Sequence, residues 1–361
     1  MDQKSNDGMR KKPASVVVAL SGGVDSAVAA ASLRIAGWEV YGLHFLLSDS
    51  LSRTDARTAA VKQVGEHLEI PLEVLDLRKT FHRCVIDPFV DTYLKGLTPN
   101  PCVVCNQKIK FKYLIDYAKQ NEIDYIATGH YVRVRKKDEN QYFELLRGKD
   151  RRKDQSYFLH RLNQSFLSQA VFPLGETTKV EVRRQALEMG LPVHSVPESQ
   201  EICFIPENDY RSFVERKRDL GVNKPGKIIN DHGEILGQHG GTFRYTIGQR
   251  QGLGIASTRP YYVKEIRPQT NEVVVGRKEA LYSGRVEAEG FNWIGEVPLQ
   301  KVVESQAQIR YRHRPAPGHL EVISSDKVRF IFDEPQWAVT PGQALVFYEG
   351  ERVLGGGWIR K

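Results

Sequence analysis

Cysteine is scarce in this chain, with four among 361 residues. Four are too few to staple a secreted disulfide scaffold, so these thiols are expected to be free, catalytic or metal-bound. Long apolar runs are missing as well: no 18-residue stretch could cross a bilayer as a helix. Residues 1–13 are polar and basic with no apolar segment, so they read as a flexible tail and not as a secretory signal. No fixed-period repeat or low-complexity tract stands out. These absences lead us to expect a soluble, cytoplasmic protein with no membrane partner. What is present supports a packed core: 40% of residues are hydrophobic and 27% charged. The length suggests two or three domains, and the net charge of +8 leans toward a polyanionic partner.

Val16 to Leu20 is a short, continuous apolar run rich in β-branched residues, as expected of a strand buried on both faces of a parallel sheet. A helix is predicted over 27–36 and ends at Gly37. Further strands are predicted over 39–45, 72–75 and 124–128, and helices over 54–68, 106–121 and 178–189. This alternation predicts an α/β doubly wound parallel sheet over 14–210. Beyond about 210, glycine and proline punctuation becomes dense and Val, Ile, Tyr and Phe fall in short runs. That texture predicts a small central β-rich domain over 211–280 and a C-terminal β-barrel over 281–361.

The first strand ends in Ser21-Gly22-Gly23-Val24-Asp25-Ser26. A glycine pair opening a helix presents free backbone N–H groups to an anion and lets phosphate approach closely. Ser21 and Ser26 could add donors, and Asp25 could hold Mg²⁺. Taken alone, the pair reads first as a tight strand-to-helix turn capped by Asp or Ser. It is neither a Walker-type P-loop nor GxGxxG.

Cys102-Val103-Val104-Cys105 stands just before a predicted helix. A helix N-terminus, with Lys108 and Lys110 nearby, is expected to lower the thiol pKa. A zinc site would need two more ligands that are not evident, and a thioredoxin-type pair would need a different βαβ setting. Cys84 fits a buried structural thiol, and Cys203, taken alone, reads the same way.

The hexapeptide Ser21 to Ser26 resembles the signature of the PP-loop ATP-pyrophosphatases in all six positions. Further along come Asn100-Pro101-Cys102-Val103-Val104-Cys105-Asn106, Ala127-Thr128-Gly129-His130-Tyr131, Lys153-Asp154-Gln155-Ser156-Tyr157, Ser199-Gln200-Glu201-Ile202-Cys203 and Tyr245-Thr246-Ile247-Gly248-Gln249-Arg250. In that order these motifs resemble the tRNA-specific 2-thiouridylase family. The resemblance implies a sulfurtransferase that adenylates the C2 oxygen of a tRNA wobble uridine with ATP and Mg²⁺. A persulfide on a cysteine, loaded by a sulfur-relay donor protein, then delivers sulfur. By position it implies that Cys105 and Cys203 are catalytic and form a transient disulfide. It places Ala19, Leu20, Ser21, Gly22, Gly23, Val24, Asp25, Ser26, Phe45 and Gly129 at the nucleotide. It places Asn100, Pro101 and Cys102 at the target base, and Lys153, Asp154, Gln155, Arg310, Tyr311 and Gln343 at the tRNA; a role for His130 stays open. Many members of that family carry Asp where this chain has Cys102. The trio Cys102, Cys105 and Cys203 also resembles the set that holds an iron–sulfur cluster in related thiolating enzymes.

Two basic windows suit an RNA partner. Residues 131–161 carry ten Lys or Arg against five Asp or Glu, and residues 305–315 carry Arg310, Arg312 and Arg314 with no acid. Aromatic residues interleave with them. A plain solvated face is the other reading of such windows. An alternative function, a PP-loop amide-forming synthetase acting on a small molecule, predicts the glycine loop but not the paired cysteines. A non-catalytic RNA-binding protein predicts the basic windows but not the glycine loop.

Overall fold

The structure, a computed structural model, describes residues 13–47, 51–137, 142–193, 202–217, 224–298 and 300–360. The expected N-terminal tail before Pro13, and residues 199–201 of the motif leading to Cys203, lie outside the described residues.

Five parallel strands form the first sheet: β1 (Ser15–Ala19), β2 (Glu39–Leu46), β3 (Leu72–Asp76), β4 (Tyr125–Ala127) and β7 (Ala170–Val171), ordered β3-β2-β1-β4-β7. Val16, Val17 and Val18 of β1 are fully buried. Val16 and Val18 join the core cluster beneath helix α1 (Val24–Ile35), while Val17 joins the cluster of Phe111 and Leu114. This is the alternation of a strand covered on both faces. The chain winds outward from β1 through β2 to β3, then crosses back to β4 on the other side of β1. The loops after β1 and β4 therefore diverge at a topological switch point, where α/β sheets bind ligands.

The segment 101–120 is one continuous helical run: α-helical over Pro101–Cys105, π-helical over Asn106–Phe111 and α-helical again over Lys112–Gln120. The helix thus begins five residues earlier than expected, because Pro101 is well suited to a first helical turn, where it forfeits no bond. Both cysteines of the CxxC pair lie inside it.

Four strands form the middle sheet: β8 (Gly226–Ile229), β9 (Ile235–His239), β10 (Tyr262–Arg267) and β11 (Glu272–Gly276). Six strands close the barrel: β12 (Tyr282–Trp293), β13 (Val302–Gln308), β14 (Ala316–Val322), β15 (Lys327–Trp337), β16 (Ala344–Glu349) and β17 (Arg352–Ile359). A β12–β17 pairing completes the ring. Leu320, Phe330 and Phe347 fill its interior, all fully buried.

One arrangement differs from the expected division. The hairpin of β5 (Val132–Lys137) and β6 (Tyr142–Arg147) leaves the first domain and joins the barrel sheet, Leu146 pairing with Arg352. This hairpin lies in the first basic window, and several of that window's cations are engaged within the protein. Arg133 meets Glu176 and Glu351, Arg135 meets Glu144 at 2.6 Å, Arg147 meets Asp154 at 2.9 Å, and Arg151 meets Glu351. The two domains also share Tyr157, whose buried hydroxyl donates to the Ala344 carbonyl at 2.9 Å. Tyr157→Phe removes that bond and leaves a buried carbonyl unpaired. The expected loss is about 1–2 kcal/mol of unfolding free energy, read by urea titration.

Candidate active site

The switch point is built by close backbone approach. Gly22 has φ +79°, and helix α1 starts on Gly23 with no side-chain cap, contrary to the Asp or Ser cap that a plain turn would use. The first-turn N–H groups therefore point out of the loop unclaimed by any capping side chain. Ser26 Oγ accepts from Ser21 N at 3.2 Å and donates to Gly23 O at 3.0 Å, so Ser26 braces the loop from inside. Leu20 N donates to Leu43 O, and the His44 Nδ1–H donates to Leu20 O at 2.7 Å, fixing the exit of β1. Across the gap, Gly129 follows β4. A Cβ there would lie 2.8 Å from the Asp25 carbonyl carbon and from Ser26 N, so only glycine fits. This cradle suits the phosphates of ATP.

One oxygen of Asp25, the expected Mg²⁺ ligand, is engaged within the protein. Asp25 Oδ1 accepts from Lys179 Nζ at 2.6 Å and from the Tyr131 hydroxyl at 2.7 Å. The Lys179 side chain is only 9% exposed, and a buried ammonium needs its counter-charge. The sequence alone does not single out Lys179, and it places Tyr131 in a motif without a role of its own. Lys179 lies 154 residues from Asp25, and nothing local marks it.

His130, next to Gly129, is buried, and its Nδ1 shares a hydrogen bond of 2.8 Å with Thr128 Oγ1. Burial holds its pKa well below the ordinary imidazole value, and the Lys110 charge lowers it further, so it is neutral at pH 7. Lys110 also acts on Cys102 and Cys105, which places all of these groups at one locale. Cys203 acts electrostatically on both of the other thiols, although it lies about a hundred residues further along the chain. The packing explains how it arrives. Phe204 and Ile205 are buried in the cluster that contains Cys105 and Ile109, with Phe204 edge-on to Phe81 and Phe89. Phe45, at the end of β2, packs against the same cluster. Among the described residues no group of three His, Cys, Asp or Glu side chains is placed to hold a metal ion. The iron–sulfur reading thus finds no support in the geometry.

The expected lowering of the thiol pKa values is reversed. Burial, the largest influence, pushes Cys105 up to about 12 and Cys102 up to about 11, and Lys110 only partly offsets it. Cys105 is buried, whereas Cys102 and Cys203 are exposed.

The other anticipated residues divide by position. Asn100 and Pro101 are buried at the start of the helical run, and the Asn100 side chain acts to lower the pKa of the nearby Tyr157 hydroxyl, against the larger upward push of burial. Asp154 is buried, and its carboxylate accepts from Arg147 Nε, Gly148 N, Ser156 N and Ser156 Oγ. Gln155 Oε1 accepts from Tyr131 N at 3.0 Å, and Lys153 sits half-buried beside them. In the barrel, Tyr311 lies against Phe158 with ring centroids 4.3 Å apart, and Arg310 Nη1 donates to Trp337 O at 3.1 Å. Gln343 Nε2 donates to Thr98 O and Pro99 O, both at 3.1 Å. The barrel thus reaches the loop in front of Cys102.

A parallel sheet with an uncapped glycine loop at its switch point defines a nucleotide-binding enzyme domain of the HUP class. The chain matches the tRNA methyl transferase HUP domain over residues 14–207, the tRNA methyl transferase PRC-barrel domain over 212–277 and the aminomethyltransferase beta-barrel domain over 283–359. It is 47% identical over 364 residues to the tRNA-specific 2-thiouridylase MnmA of Carboxydothermus hydrogenoformans, across 98% of both chains. It is 46% identical to the protein of that name from Syntrophotalea carbinolica, across 97% of this chain and 100% of the relative. The figure for Geotalea uraniireducens is also 46%, across 95% and 94%. The chain belongs to the tRNA-specific 2-thiouridylase family.

Two outcomes follow from the site. Gly129→Ala forces a methyl group into the Asp25–Ser26 backbone, so ATP affinity falls by at least about tenfold in calorimetric titration, while the sheet, probed by circular dichroism, stands. A thiol pKa of about 11 leaves little Cys102 thiolate at pH 8. Its alkylation by iodoacetamide, followed by mass spectrometry, rises with pH past 10 with no plateau near the ordinary thiol value of about 8.5.

Proposed function

We propose that the protein transfers sulfur to C2 of the wobble uridine of tRNA at the expense of ATP. The observation that carries this reading is that the segment following Cys203 packs against the helix of the CxxC pair, Phe204 and Ile205 sharing a buried cluster with Cys105. An amide-forming synthetase has no use for cysteine segments packed together.

The uridine C2 oxygen attacks the α-phosphorus of ATP and pyrophosphate leaves. This turns a poor leaving group into AMP. The uncapped N-terminus of α1 and the Ser21–Ser26 loop bind the phosphates, and Gly129 keeps the two loops close enough to do so. Cys203, exposed, takes a sulfane sulfur from a donor protein as a persulfide. Its terminal sulfur attacks C2, and AMP departs with the C2 oxygen. The Cys105 thiolate then attacks the Cys203 sulfur, the S–S bond of the persulfide breaks, and the outer sulfur stays on C2 as the thione. Two cysteine sulfurs have been oxidised to a Cys105–Cys203 disulfide, which an external thiol reduces for the next turn. Deprotonating Cys105 costs free energy in its buried site, and Lys110 is the cation that eases it. Asn100, Pro101 and Cys102 receive the flipped base, with a thiol at the position where many members of the family carry Asp. Lys153, Asp154, Gln155, Arg310 and Tyr311 form the tRNA face, with Asp154 acting through the turn it holds. Mg²⁺ would accompany ATP as its counter-ion near the Ser21–Ser26 loop, where Asp25 Oδ2 would be the carboxylate oxygen available to hold it. The division into 14–210, 211–280 and 281–361 then assigns ATP and sulfur chemistry to the first part.

The test is ATP-dependent transfer of labelled sulfur to tRNA. Cys105→Ser and Cys203→Ser each lower it on the order of 10³-fold or more, and both keep wild-type tRNA affinity in filter binding. Full transfer by Cys203→Ser would refute the assignment.

A further inference from the structure

Resting on the sulfur-transfer reading above, we propose that Gln343 is a positioning residue. Its side-chain amide holds the turn that delivers Asn100 and Cys102 to the cysteine site, so the barrel sets where that turn lies.

The need for such a residue follows from the sequence of the turn. Thr98-Pro99-Asn100-Pro101 contains two prolines, which contribute carbonyls but no N–H. The turn is therefore rich in acceptors and poor in donors, and residues 97–100 lie in no helix or strand. A primary amide carries two donor hydrogens. Gln343 Nε2 donates to Thr98 O and to Pro99 O, each at 3.1 Å, so both hydrogens are spent on this turn. The barrel supplies the reciprocal acceptor: Thr98 N donates to Pro341 O at 2.9 Å.

The barrel loop fits the turn tightly. Gly342 has φ +90°, and a Cβ on it would lie 2.9 Å from both Thr98 N and Thr98 O. The loop itself is internally bonded, with Gln343 N donating to Thr340 O, Ile359 N to Gln343 O and Thr340 Oγ1 to Ala338 O. The next residue, Ala344, accepts from Tyr157, whose hydroxyl the Asn100 side chain also acts on. From the middle domain, Pro268 leaves no space for a side chain at Gly96, where a Cβ would lie 2.8 Å from Pro268 Cγ. All three domains thus meet on residues 96–100, and Gln343 supplies the side-chain donor that the prolines lack.

The test compares Gln343→Met, nearly isosteric but without donors, with wild type in the full chain. Three quantities are read: the single-turnover sulfur-transfer rate at saturating tRNA, the tRNA dissociation constant, and the rate of Cys102 alkylation by iodoacetamide in the absence of RNA. The transfer rate is expected to fall about tenfold, as for two lost hydrogen bonds. The dissociation constant should stay within about twofold, and alkylation should quicken severalfold as the turn loosens. Gly342→Ala, which pushes on the turn from the barrel side, should give the same pattern. Tenfold weaker tRNA binding with an unchanged saturated rate and unchanged alkylation would make Gln343 an RNA contact and overturn the proposal. Three unchanged quantities would overturn it too. Should wild type itself fail to transfer sulfur, the functional reading falls, and the alkylation comparison still decides whether Gln343 holds the turn.

Discussion

Gly129 and the Asp25–Ser26 peptide meet backbone to backbone, and much of the site is arranged around that contact. The sheet order obliges the loops after β1 and β4 to part company, while their strands stay hydrogen-bonded neighbours. A methyl group between them would spread the cradle. With glycine, the first turn of α1 stays open to an anion, and His130 is set one residue beyond. His130 shares the Lys110 field with Cys102 and Cys105. Lys179 ties the far side of the loop by neutralising Asp25, so the one acidic side chain in the cradle does not repel phosphate.

The thiols show how burial and reactivity are balanced. Cys105 is buried and its thiol resists ionisation, whereas Cys203 is exposed. On the sulfur-transfer reading this asymmetry is useful. A protein donor can reach only an exposed acceptor, and an adenylate beside a dry thiol is protected from water. The π-helical stretch after Cys105 widens the turn, so that residues five apart approach one face, as Cys105 and Lys110 do.

Much of this was legible in the sequence because it is local. The valines of β1, the glycine loop and the Thr178 start of the 179–188 helix declare themselves within a few residues, the last through a capping box with Glu181. The rest depends on partners far away along the chain. The sign of the thiol pKa shift is set by how much protein surrounds Cys105, which composition does not report. Asp25 belongs to Lys179, Gln343 to Thr98, and Leu146 to Arg352, pairings visible only once the fold brings them together. The charge count of the basic window 131–161 likewise could not reveal that Arg133, Arg135, Arg147 and Arg151 face carboxylates of this same chain.

The hairpin of β5 and β6 is made well before its barrel partner, β17. About 200 residues must be threaded and closed before Leu146 finds Arg352, an entropic delay that local helices never face. Until then the outer edge of β6 stands open, able to accept any passing strand. A chain made only part-way to β17 would therefore have a first domain that holds its glycine loop and cysteines, yet a sheet edge that invites aggregation. Covering that edge is thus the task of a strand from another domain.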